Sequence, residues 1–245
     1  MPVAAVLVFL FSLTASAYAF DFSGWDAILK KNTRPANYGG IEYTGFDYAA
    51  LRGSREFDAL FAGLDSFPPS ELHGRDETLA FWINVYNIFA VKLVRDHYPV
   101  AGIKDVGSLF SPVWKKPAGK VGGKSYSLDD IEQGILRPMK EPGIHFAIVC
   151  ASVSCPDLRP EAYTASALKD QLKSQAVLFL ANGGKGLRID RDKMTAHLSK
   201  IFGWYEKDFD ASGGVIGFIN SRGGSIPPGY AAEYLPYNWD LNTVR

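Results

Sequence analysis

The chain has 245 residues with Lys plus Arg equal to Asp plus Glu, 26 each, and only two cysteines and four histidines. A balanced charge with scattered basic residues leaves no whole-chain field for nucleic acid or anionic lipid, so nucleic-acid binding is not expected. The length suits one large domain or two small ones.

The first element is an apolar run from Met1 that ends in Ala17-Tyr18-Ala19. It is short for a membrane span and closes in a small-x-small pattern, so residues 1–19 read as a cleaved signal peptide. The expected mature protein is periplasmic or secreted and keeps no stable membrane anchor. Residues 20–70 follow as an N-terminal arm packed on the core, with a short helix around Trp25 to Lys31, a strand Ile41 to Phe46 and a helix Ser54 to Leu64. Phe67-Pro68-Pro69 stops that helix. Residues 71–245 make up the core proper.

The longest helix spans about Asp76 to Asp96. Acidic residues open it and Lys92 and Arg95 close it, which suits the helix dipole. It is apolar on nearly every side, so it should be a central helix covered all round. Asn84 and Asn87 share one of its faces. Buried amides need partners: they either tie down neighbouring backbone or point into a site.

Pro99 ends this region, and residues 106–120 form a loop long enough to be a flap. Val121 to Tyr126 reads as part of a hairpin, and Ser127-Leu-Asp-Asp130 as a capping-box start for a helix carrying Glu132 and Arg137. The chain then turns at Pro142-Gly143 into His145-Phe-Ala-Ile-Val-Cys150-Ala-Ser-Val-Ser-Cys155-Pro156. The apolar run reads as a buried strand followed by a small-residue turn. Beyond it come a helix from about Ala165 to Leu180, a hairpin over 186–198, an aromatic turn Ile201 to Phe209, and a short element at Val215 to Asn220. An aromatic tail, Ala232 to Asn242, is expected to lie across the core. The sum is a single α+β domain with a mixed or antiparallel sheet, a long central helix and flanking helices.

Four blocks recur in a known order: Phe81-Trp-Ile-Asn-Val-Tyr-Asn87; Ser127-Leu-Asp-Asp-Ile-Glu132 leading to Ile135-Leu-Arg137; His145 to Cys150; and Ser154-Cys-Pro156. With Ile201-Phe-Gly-Trp-Tyr and Tyr237-Asn-Trp-Asp-Leu-Asn behind them, they resemble the domain-of-unknown-function family 547. The likeness runs from about Glu71 to Leu180 and more loosely to Asn242. It implies one domain of a family found in bacterial and plant proteins without an established activity. It thus supplies positions but no reaction. Where family members often carry His after the Glu of the second block, this chain has Gln133.

The chemistry centres on the two thiols. On a regular strand His145 and Cys150 would stand roughly 16 Å apart with side chains on opposite faces. That parity disfavours a direct pair and leaves Cys155, folded back, as the thiol that could meet His145. A thiol-dependent hydrolase or acyltransferase at amide or ester bonds would then use Cys155 as nucleophile, His145 as base, Glu132 to orient it, and Asn84 or Asn87 as oxyanion donors. The alternative is a non-catalytic binding or scaffold module. In it a Cys150–Cys155 disulfide fixes the turn, and Arg137 joins Asn84, Asn87, Glu132 and His145 in a buried polar network. Two thiolates and one imidazole do not complete a zinc site, so neither metal nor cofactor is expected. The partner would be an unidentified small molecule or peptide.

Overall fold

A computed structural model describes residues 19–108 and 112–244. The signal-peptide reading therefore lies outside the described residues except for Ala19, as does the middle of the expected flap. Among the described residues no helix is long and apolar enough to cross a membrane.

The organising element is helix α3, Arg75–His97. Every residue from Leu79 to Val91 is buried, because its apolar side chains point in all directions and each direction is covered. One cover is the N-terminal arm. There, helix α1 (Ser23–Asn32) and the hairpin of β1 (Thr33–Tyr38) and β2 (Ile41–Phe46) precede helix α2 (Arg55–Ser66). Trp25, Phe46, Phe57 and Leu64 belong to the same core cluster as α3. Strand β1 contains Pro35 and was not foreseen. It pairs antiparallel with β2 across Gly39-Gly40, both at positive φ, which a two-residue hairpin turn of this kind requires.

Past α3, 3-10 turns at Ile103–Val106 and Val113–Lys115 lead into a second antiparallel hairpin, β3 (Pro117–Val121) with β4 (Lys124–Ser127). The expected capping box then starts helix α4 (Leu128–Ile131): Ser127 Oγ accepts from the Asp130 amide, and the Ser127 amide donates to Asp130. Instead of continuing regularly, the helix widens into a π-turn at Glu132–Leu136.

After helix α5 (Leu168–Ala181), strands β5 (Leu187–Asp190) and β6 (Thr195–Leu198) form the expected hairpin. Strand β7 (Ala231–Tyr234) adds to β6 in parallel, which makes this sheet mixed. Between them lie α6 (Lys200–Trp204), a 3-10 stretch at Glu206–Ser212 and α7 (Gly214–Ser221). The architecture is α+β with α3 at its centre, and among the described residues the strands fall into three small sheets. Phe146, Phe179, Phe202, Phe209 and Phe218 form a second apolar cluster on the C-terminal side.

The run at His145 is not a strand. Residues Pro142–Phe146 form a 3-10 turn, started by the Glu141 side chain accepting from the Gly143 amide, and the Ile148 amide donates to the Ile144 carbonyl. Its side chains fill two cores, Ile144 and Ala147 toward α3 and Phe146 toward the second cluster. An apolar run buried on all sides has no period to betray its conformation. With the strand goes the parity argument that placed His145 and Cys150 on opposite faces.

Candidate functional site

Where the two apolar clusters meet, the structure has a cavity of about 670 Å³. His145, Cys150 and Cys155 all border it, together with Tyr86, Glu132 and Arg137.

The thiol loop is held from two sides. From α3, Asn87 donates to the Ala147 carbonyl (2.9 Å) and accepts from the Val149 amide (2.9 Å). From the tail, the Asp240 and Asn238 carbonyls accept from the amides of Val153 and Ser154, and the Asn242 amide donates to the Ala151 carbonyl. Ala151 sits at φ +56, a left-handed conformation that turns the chain sharply. The turn brings the Cys150 amide to 2.9 Å from Cys155 Sγ.

Cys150 and Cys155 are unbridged, so the expected disulfide is not formed in this structure. Their environments differ. Cys155 is buried, and both burial and its neighbour Cys150 push its thiol up. Cys150 is half-buried. Its Sγ lies 3.1 Å from Ser152 Oγ and 3.2 Å from Tyr237 Oη. Hydrogen bonds from Cys155, Ser152 and Tyr237 hold its pKa below the ordinary thiol value against the effect of burial. A thiolate is the nucleophilic form. Of the two thiols, Cys150 rather than the expected Cys155 has the surroundings that favour a thiolate.

His145 is 3 % exposed. Its ring stacks on Tyr205 at 4.1 Å between centroids. Its Nε2 lies 2.8 Å from Asp208 Oδ2. Burial drives its pKa down to about 4, with Asp208 only partly opposing. The imidazole is therefore neutral at neutral pH. Asp208 is held ionised, chiefly by Arg137, and can only accept, so the ring proton sits on Nε2 and Nδ1 carries a lone pair.

The carboxylate bonded to His145 is that of Asp208, whereas Glu132, expected beside it, meets two tyrosine hydroxyls. Arg137 grips the Asp208 carboxylate with two bonds, Nε to Oδ2 at 2.6 Å and Nη2 to Oδ1 at 2.8 Å, and also bonds Gln133. The Gln133 amide thus steadies Arg137. Glu132, 4 % exposed, accepts from Tyr86 Oη at 3.2 Å and from the Tyr205 hydroxyl. Burial raises its pKa. The π-turn turns Glu132 inward, and such insertions are frequent at functional sites.

Asn84 and Asn87, expected as oxyanion donors, are both turned to backbone groups. Asn84 donates to the Tyr163 carbonyl (2.8 Å) and accepts from the Tyr163 amide (2.9 Å), so both asparagines spend their amides on backbone. The outer wall is aromatic: Trp114, Trp204, Tyr237 and Trp239, with Lys104 Nζ 3.4 Å from the centroid of the Trp239 ring. Among the described residues no cluster of three metal-ligating side chains is found.

Residues 69–180 match a family model described as a protein of unknown function, DUF547. Residues 69–180 are thus similar to the DUF547 family. No curated protein and no solved structure matches the chain. The DUF547 match takes in Glu132, His145 and both cysteines, but Tyr205, Asp208, Tyr237 and Trp239 lie beyond it. Asp208 was missed by sequence reasoning because nothing in Glu206-Lys-Asp-Phe209 distinguishes it from a surface acid. The aromatic blocks Ile201 to Tyr205 and Tyr237 to Asn242 were the available signal.

Proposed function

We propose that this protein is a thiol-dependent hydrolase or acyltransferase acting on amide or ester bonds, with Cys150 as its nucleophile. The observation that carries this reading is the position of Cys150. It borders the same cavity as His145, whose Nε2 is held by Asp208, and the Ser152 and Tyr237 hydroxyls are in reach of its sulfur. Those hydroxyls favour the thiolate, the form that attacks a carbonyl carbon.

In the proposed reaction Cys150 Sγ bonds to the acyl carbon, the carbon–oxygen or carbon–nitrogen bond breaks, and the alcohol or amine leaves after taking up a proton. The resulting thioester passes its acyl group to water or another acceptor. His145, neutral with a lone pair on Nδ1, is suited to take the proton of that acceptor. Glu132, whose carboxyl holds its proton more tightly than usual, is the cavity acid best suited to protonate the leaving group.

The test is a p-nitrophenyl ester with stopped-flow detection and intact-mass analysis. A burst of nitrophenol with the acyl group on Cys150, absent in Cys150→Ala, is the expected result. A chain that folds, reacts with iodoacetamide at Cys150 and yet takes up no acyl group from esters or thioesters would be the binding module of the alternative reading.

We further propose export from the cytoplasm, supported by the apolar run and the Ala17-Tyr18-Ala19 ending. The mature protein would then begin at Phe20, which N-terminal sequencing of secreted material checks.

A further inference from the structure

The two thiols carry an inference that does not depend on acyl chemistry. Cys155 has no room for a substrate: it is 3 % exposed, and its sulfur accepts the Cys150 amide at 2.9 Å. It nevertheless sits next to the half-buried Cys150 and borders the same cavity. The loop between them is short and tied to the tail. The tail holds Ala151, Val153 and Ser154 through backbone hydrogen bonds, and the Cys155 amide donates to the Ser152 carbonyl. A reagent in the cavity meets Cys150 first, and the neighbour best placed to respond is Cys155.

We infer that Cys150 and Cys155 are a reversible dithiol–disulfide couple, in which a hydroperoxide entering the cavity oxidises Cys150 and Cys155 resolves the product. In the first step the Cys150 thiolate attacks the outer peroxide oxygen. A sulfur–oxygen bond forms and the oxygen–oxygen bond breaks. The alkoxide leaves as an alcohol with the proton originally on the thiol, and Cys150 becomes a sulfenic acid. In the second step Cys155 Sγ attacks Cys150 Sγ. A sulfur–sulfur bond forms, the sulfur–oxygen bond breaks, and hydroxide leaves as water with the Cys155 proton. The chain has lost two hydrogens and the hydroperoxide has been reduced to alcohol and water. An external dithiol returns the pair to the reduced state by exchange.

The placement of Cys155 gives this route an advantage over further oxidation. A sulfenic acid with no thiol beside it goes on to sulfinic acid, which is not recovered by simple thiols. Here the second thiol lies in the same turn, and four intervening residues are enough to let a disulfide close. The aromatic wall suits an organic hydroperoxide with an apolar body.

The experiment uses the full chain, reduced and then freed of reductant, with one equivalent of cumene hydroperoxide and dimedone present. Wild type should lose two hydrogens by intact mass, show a Cys150–Cys155 linkage in the peptide map, remain monomeric by that linkage, and regain both thiols with dithiothreitol. Cys155→Ser should stop at the sulfenic acid and carry one dimedone at Cys150. Cys155→Ala serves the same purpose if the serine disturbs the turn, with circular dichroism checking that each variant is folded. Cys150→Ser should consume no peroxide. Equal dimedone capture by wild type and Cys155→Ser, or linkage between chains in place of the internal bridge, would overturn the inference. So would oxidation of Cys155 in the Cys150→Ser chain at the wild-type rate. These readouts need no acyl substrate, so failure of the acyl chemistry leaves them intact.

Discussion

At the scale of single residues, the least conspicuous member of the site carries a clear energetic consequence. Asn87 satisfies one buried carbonyl and one buried amide of the segment that leads into Cys150. Truncating it to Ala leaves both without that partner, at about 2–6 kcal/mol for the two groups together. Urea titration of Asn87→Ala should show that loss, and the Cys150 labelling rate should fall toward that of an ordinary thiol as the loop loosens. His145 makes a prediction in pH. Its pKa is lowered from 6.5 to about 4 on folding, so between those values the unfolded chain binds a proton that the folded chain does not. Stability from this group is complete above pH 6.5 and is lost as pH falls toward 4, with a span of order 3 kcal/mol. Asp208, whose pKa is lowered, adds a loss of the same sign at more acid pH. Glu132, whose pKa is raised, works in the opposite sense: its contribution is present in acid and fades as pH rises through its folded value. Urea midpoints measured from pH 7 down to pH 4 should fall more gently for His145→Gln than for wild type. Equal slopes would mean that the imidazole is not the group being protonated.

At the scale of elements, what the sequence made legible follows from how strongly each element's signal was local. Helix α3 was placed within a residue of its ends because its acidic start and basic finish are local chemistry. The capping box at Ser127 and Asp130 was equally local, whereas the π-turn that follows leaves no composition signal. The run at His145 failed for a tertiary reason: Phe146 and Ile144 serve different cores, which removes any period. Asp208 was invisible because its partners, Arg137 and His145, are more than sixty residues away. The tail's expected lie across the core has a sharp test at Gly102. The Ala101 carbonyl accepts from the Leu241 amide, and a Cβ on Gly102 would stand 2.5 Å from the Trp239 carbonyl oxygen. The backbone there is extended, so the constraint is one of space alone. Gly102→Ala should cost about 1–3 kcal/mol by overpacking and shift tryptophan emission as Trp239 moves. Gly134→Ala, whose new Cβ meets nothing within 4 Å, should stay within about 0.5 kcal/mol of wild type.

At the scale of the whole molecule, the DUF547 match and the physical unit do not coincide. The match stops at residue 180, yet the carboxylate that holds His145, the ring stacked on it and the hydroxyl beside Cys150 come from Asp208, Tyr205 and Tyr237. The match also begins at residue 69, after Trp25, Phe46, Phe57 and Leu64 have been laid on α3. Each of those four side chains contributes about 2 kcal/mol by burial, so their joint loss rivals the 5–15 kcal/mol that a domain has in total. A fragment limited to residues 69–180 is therefore expected to lack a cooperative unfolding transition. Its Cys150 should label with iodoacetamide at the rate and pH dependence of an ordinary thiol, while a chain of residues 19–245 keeps both the transition and a thiol that labels at lower pH. Removing only the tail from Tyr237 onward separates the two contributions. It strips the Tyr237 hydroxyl from Cys150 and the Asn242 side chain from the Tyr48 hydroxyl, but leaves the N-terminal cover on α3. That chain should unfold at lower urea with its transition still cooperative, and the pH at which Cys150 reacts should rise toward the ordinary thiol value. An unchanged labelling profile would place the activation of Cys150 in Ser152 and Cys155 alone and remove the tail from the site.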